Sequence, residues 1–96
     1  MKSSNPKPLH SVVGTVLQEL GLSKKIKQYE VIEAWPTIVG RQIANVATAE
    51  RIENGILFVH VTRAPWRNEL VFLKKELIGK INETMHQKIV SDIIFR

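Results

Sequence analysis

Cysteine is absent from the 96 residues. Disulfides, thiolate zinc sites and a cysteine nucleophile are thereby excluded. Aspartate is nearly absent: Asp92 is the only one, and the remaining acids are glutamates spread over expected helix surfaces and hairpin strands. No paired acid–base arrangement stands out. His10, His60 and His86 fall on an arm, a strand and a loop, with no pair at metal-ligand spacing. The glycines, at positions 14, 21, 40, 55 and 79, build neither a P-loop nor a dinucleotide fingerprint. No apolar run approaches the ~20 residues of a membrane helix. The opening MKSSNPKPLH lacks the apolar stretch of a secretion signal. The expectation is a cytoplasmic, non-enzymatic protein with no cofactor, no metal, no membrane contact and no small-molecule substrate.

What remains is ordinary for one soluble domain: 44% hydrophobic and 24% charged residues. Fourteen Lys and Arg against nine acids give a net charge of +5, a mild bias toward polyanions. The one cluster is KKIK, and Lys24, Lys25 and Lys27 become candidates for phosphate contacts. The competing reading is a solvated helix end.

Met1 to Pro8 is polar and carries two prolines, so residues 1–8 read as a flexible arm before a single domain over 9–96. Leu9, Val12, Val13, Val16, Leu17 and Leu20 recur at helical spacing, and Gly21 suits a left-handed cap after them. Ser23 suits the cap of a second helix. Ile26, Tyr29, Ile32 and Trp35 step along it by three as one stripe, read as core. Pro36 predicts a kink or restart, with the helix reaching about Ala44.

Asn54-Gly55 predicts a tight hairpin, because a type I′ turn needs positive φ at both central residues. A two-residue turn pairs Glu53 with Ile56, Ile52 with Leu57, Arg51 with Phe58 and Ala49 with His60. One face then holds Ile52, Leu57, Val59 and Val61 as core. The other holds Ala49, Arg51, Phe58 and His60. Arg51, Phe58 and His60 could stack on bases there, or a helix could cover that face.

Pro65 fits the first turn of a third helix, with Thr62 or a water meeting its open amides. Trp66, Leu70, Leu73, Leu77 and Ile81 form one stripe along it. Trp66 opens that stripe at an element's end, with Arg63 and Arg67 beside it. It reads either as packing alone or as a partly exposed interface residue. The β-branched KIVSDIIFR closes the chain as a third strand. The fold class is therefore α+β: a two-layer domain in the order α-α-β-β-α-β, with helices on one face of a small three-stranded mixed sheet. The oligomeric state is open, with a monomer expected.

Four features resemble the bacterial DciA-like family, which carries a domain long catalogued as of unknown function, DUF721. They are Trp35, the IVG of Ile38 to Gly40, the NG-centred hairpin of Asn54 to Val61, and the W-x-x-E-L of Trp66 to Leu70. The resemblance spans Leu9 to Arg96. It implies a fold similar to the KH domain, binding to the replicative DNA helicase with a part in its loading, and weak, largely non-specific DNA binding. It also implies that Trp66 matches a family tryptophan linked to helicase engagement. No two glycines lie three apart, so the G-x-x-G clamp of RNA-binding KH domains is missing. Two alternatives stand beside this reading, a protein-binding adaptor and an RNA-binding KH-like module without a role in helicase loading.

Overall fold

The computed structural model describes residues 21–96. The expected arm and the expected helix over Leu9 to Leu20 lie outside the described residues. The described elements are α1 (Leu22–Val39), α2 (Arg41–Ala44), β1 (Ala47–Glu53), β2 (Ile56–Val61), α3 (Ala64–Phe72), α4 (Lys74–Met85) and β3 (Asp92–Phe95). The sheet order is β1-β2-β3, with β1 antiparallel and β3 parallel to the central β2. Helix α1 lies against β1, α3 against β2 and β3, and α4 against β3 and α1. This is the expected α+β class with a three-stranded mixed sheet.

Helix α1 departs from its expected pattern in three places. Ser23 does not cap it: the helix starts at Leu22, and the residue at its cap is Gly21, which makes no side-chain cap bond. Pro36 does not break it. The helix runs through to Val39, and the break falls at Gly40, whose φ of 90° and ψ of 163° suit only glycine. The three-residue stripe also fails, because a step of three falls short of a 3.6-residue turn and walks off the core face. Ile26 and Tyr29 are exposed, and Val31 packs with Trp35 instead.

Trp35 is fully enclosed, and its indole Nε1 donates to the Ala47 carbonyl at 2.9 Å. This satisfies the polar edge of a buried ring and ties the C-terminal half of α1 to the first residue of β1. The core continues through Leu57, Val59, Leu70, Ile81, Val90 and Ile93.

Asn54 and Gly55 both have positive φ, 53° and 80°, so the hairpin turns where expected. Its first three pairs are Glu53 with Ile56, Ile52 with Leu57 and Arg51 with Phe58. Beyond them the register shifts. Ala49 lies opposite Val59, not His60, and His60 faces Thr48. The irregularity between Ala49 and Arg51 inserts Glu50 as an extra residue, which exchanges the two faces of β1. Ala49 is therefore buried in the core, whereas the alternation placed it on the outer face.

The expected third helix is two. Leu73 leaves helical geometry at φ −89° and ψ 1°, dividing α3 from α4. Its N–H is shared between the Glu69 and Leu70 carbonyls, and Leu77 N–H bonds back to Leu73, so the helical path continues past the break. Thr62 does not cap α3, since its hydroxyl donates to the Val46 carbonyl at 3.3 Å.

After α4 the chain reverses at His86, which has a left-handed φ of 56°. The Asn82 side chain holds the next segment in place. Its Oδ1 accepts from Ile89 N–H and Val90 N–H, both at 3.0 Å, and its Nδ2 donates to the Val90 carbonyl at 2.8 Å. The strand within KIVSDIIFR is thus shorter than the β-branched run, and Ile89 and Val90 enter the core from a loop. Lys74 meets Asp92 at 3.0 Å, linking the starts of α4 and β3. The hydrogen bond from Lys74, and then that from Ile93 N–H, lower the Asp92 pKa. A depressed carboxylate pKa adds stability at neutral pH that is lost as pH falls through the folded-state value.

Two substitutions test these restraints. Gly55→Val should lower stability by more than ~1 kcal/mol, because a β-branched residue resists positive φ. A Cβ at Gly55 would also lie 2.8 Å from the Ser91 hydroxyl. Asn82→Ala removes three hydrogen bonds and should cost about 2 kcal/mol or more. Denaturant unfolding reads both, and an unchanged midpoint for either variant removes the restraint assigned to it.

Candidate nucleic-acid and partner interfaces

The residues singled out in the sequence fall into three places. Lys24, Lys25 and Lys27 lie in the first turns of α1. Among the described residues that turn has no side-chain cap and no acidic residue, so its amides and partial positive charge add to the lysines. Lys27 pairs loosely with Glu30 at 3.8 Å. Gln87, Lys88 and Ile89 approach from the loop after α4. With Gly21, Ser23, Lys24 and Lys27 they line a hollow of about 460 Å³. Lys88 was not among the sequence candidates. It joins the cluster only through the tertiary fold, and no local pattern marks it. Lys25 does not line the hollow.

Arg51, Phe58 and His60 share the outer sheet face, as the pairing around the turn predicted. Phe58 is half-buried and His60 exposed. The Arg51 guanidinium lies 4.2 Å from the centre of the Phe58 ring, and Arg96 brings a second guanidinium to 5.1 Å. Such contacts are cation–π interactions. Each arginine also meets a carboxylate: Arg51 Nε bonds Glu53 at 2.8 Å, and Arg96 approaches Glu50 at 3.8 Å. Arg96 also escaped the sequence reading, because its place depends on the parallel register of β3 against β2. Among the described residues, no hydrogen bond, ion pair or stack joins this face to the lysine end.

Trp66 lies in the first turn of α3. It packs against the core while remaining only half-buried. Arg63 precedes the helix and is exposed. Arg67 is half-buried, and its Nε is enclosed without a hydrogen-bond partner among the described residues. Neither arginine forms an ion pair there.

No group of three or more His, Asp or Glu suited to a metal ion occurs among the described residues. No described helix is long and apolar enough to cross a membrane. Fold and surface together define a small α+β domain whose distinctive polar groups are arginines and lysines at its surface. A family profile described as "Dna[CI] antecedent, DciA" matches residues 8–95. The chain belongs to the DciA family. Among curated sequences it resembles the UPF0232 protein of Mycobacterium ulcerans, with 26% identity over 93% of this chain and 48% of that protein. It also resembles that of Mycobacterium leprae, with 27% identity over 93% of this chain and 47% of that protein. The corresponding Rhodococcus jostii protein is 24% identical over 93% and 47%. The chain thus spans about half the length of the curated relatives it matches.

The two tryptophans should separate by solvent quenching. Iodide should reach Trp66 and spare Trp35, giving a curved quenching plot with one protected component. In Trp66→Phe only the protected component should remain. A parent protein in which all emission is protected would place Trp66 wholly in the core.

Proposed function

We propose that this chain is a DNA-replication accessory protein that binds the replicative helicase and, more weakly, DNA. The observation that carries the helicase contact is the state of Trp66: an incompletely buried residue between Arg63 and Arg67, neither of them neutralised among the described residues. Tryptophan and arginine are the side chains that most often dominate interface energies. Family membership supplies the partner.

DNA contact is assigned to the lysine end, Lys24, Lys25 and Lys27, and to Arg51, Phe58 and His60 on the outer sheet face. Lys88 extends the first set. Contacts to phosphate of this kind are non-specific, roughly micromolar or weaker at physiological salt, and fall steeply as salt rises. The sheet face favours a second reading, a protein-binding adaptor without a nucleic-acid role. There Phe58 already carries two guanidinia, and Glu50 and Glu53 offset their charge.

Two measurements decide between these. Replacing Lys24, Lys25, Lys27 and Arg51 by Glu should abolish DNA binding in a salt titration. Binding that survives with the same salt slope moves the phosphate contacts elsewhere, and a parent that binds nothing at low salt leaves the adaptor. Trp66→Phe retains most of the apolar packing but removes the N–H and the second ring. Its thermal midpoint should stay within a few degrees of the parent, while helicase binding is lost. Helicase binding as tight as the parent's would make Trp66 a packing residue.

A further inference from the structure

The Asn54-Gly55 turn carries a chemistry that its structural role leaves unused. The side-chain amide carbon of an asparagine is open to attack by the backbone nitrogen of the next residue. Glycine, without a Cβ, hinders that attack least. Among the asparagines of the sequence, only Asn54 precedes a glycine. Asn5 precedes a proline, which has no N–H, and Asn45, Asn68 and Asn82 precede valine or glutamate. Asn54 is exposed, so water reaches its amide. Its side chain makes no hydrogen bond among the described residues, and neither does the Gly55 N–H. The Asn82 side chain, by contrast, is engaged at both ends by Ile89 and Val90.

The closed turn opposes the reaction. Asn54 and Gly55, at φ 53° and 80°, form a tight turn, and ring closure needs the Gly55 nitrogen to swing over the Asn54 side chain. The turn is also held from behind. The Gly55 carbonyl accepts from Ser91 N–H at 2.8 Å, from the Ser91 hydroxyl at 3.2 Å and from Asp92 N–H at 3.4 Å. Asn82 in turn fixes the lead-in to β3 through Ile89 and Val90. Reaction therefore waits on local opening, which becomes rarer with each bond that must break.

We propose that Asn54 is a site of spontaneous deamidation to aspartate and isoaspartate, timed by the clamp of Ser91 and Asp92 on Gly55. The Gly55 nitrogen bonds to Asn54 Cγ, and the bond from Cγ to the side-chain nitrogen breaks. That nitrogen leaves as ammonia, taking the Gly55 proton with it. Water then opens the five-membered imide, giving hydroxyl to one carbonyl carbon and a proton to the ring nitrogen. No electron is gained or lost overall. Opening at Cγ leaves aspartate. Opening at the backbone carbonyl leaves isoaspartate, whose main chain passes through Cβ and Cγ and is longer by an atom. The longer turn does not hold the Glu53 and Ile56 pairing and also keep the Gly55 carbonyl against Ser91, so this product releases the lead-in to β3. Arg96, directly after β3, lies 5.1 Å from the centre of the Phe58 ring, so the release reaches the outer sheet face.

The full chain is aged in warm, mildly alkaline buffer, both folded and in urea, and mapped by mass spectrometry. An isoaspartate-specific methyltransferase marks the isoaspartyl product. In the folded chain Asn54 should convert at least tenfold faster than Asn68, which is also exposed, and at least tenfold slower than in urea. Asn82→Ala should narrow the gap between folded and urea rates several-fold. Ser91→Ala, which removes only the hydroxyl bond, carries the same test if Asn82→Ala does not fold. Hydrogen exchange at the Ser91 amide should quicken in the isoaspartyl form and not in Asn54→Asp, which gains the charge without the longer backbone. Conversion of Asn54 no faster than that of Asn68 overturns the site. Equal folded and urea rates, or a folded variant that keeps the parent's gap, overturn the clamp. Ser91 exchange in the isoaspartyl form that matches the parent overturns the release of β3.

Discussion

The bond from Trp35 Nε1 to the Ala47 carbonyl is the restraint on which the remaining geometry depends. Between these residues the chain runs through Pro36, the Gly40 break and the short α2. That irregular stretch would leave the start of β1 free to slide along α1. A buried indole with one donor and one available acceptor permits a single depth of insertion. Setting Ala47 also sets Val61 opposite it, and Thr62 and Val46 then close the open end of the hairpin. The hairpin's exit delivers Arg63 and Trp66 to the start of α3. The partner-binding end thus inherits its position from a core contact on another helix.

Features governed by local chemistry were legible in the sequence. The Asn54-Gly55 turn follows from a φ requirement that few residue pairs meet, and the central strand follows from strict alternation. Arg51, Phe58 and His60 could be assigned to one face because each lies within a few residues of that turn. Errors began where a local pattern was interrupted by one residue. Glu50 exchanged the faces of β1 and moved Ala49 inward. Gly40, rather than Pro36, ended α1, because a proline removes one donor whereas this glycine occupies a conformation incompatible with a helix. Leu73 divided a stripe that periodicity read as continuous. Lys88 and Arg96 were illegible for another reason. Each reaches its cluster through a parallel crossover whose register is written in tertiary contacts.

The two basic regions differ in character. At the lysine end, ammonium groups surround a hollow at a helix start without acidic residues in the first turn. On the sheet face, guanidinia and carboxylates neutralise one another around Phe58. Long-range attraction to a polyanion follows net local charge, so encounter would be set by the lysines and any contact on the sheet would come second. The arginines beside Trp66 suit short-range, desolvated pairing better than steering, because Arg67 is already sunk into the surface.

The irregularity at Glu50 has a further bearing. Among the described residues strand β1 is an edge of the sheet, and an edge strand offers its free amides and carbonyls to any passing chain. An extra residue there breaks the regular hydrogen-bonding ladder, and its carboxylate adds charge where a second strand would have to align. The same residue that interrupts the alternation of β1 thus works against edge-to-edge pairing with a second strand.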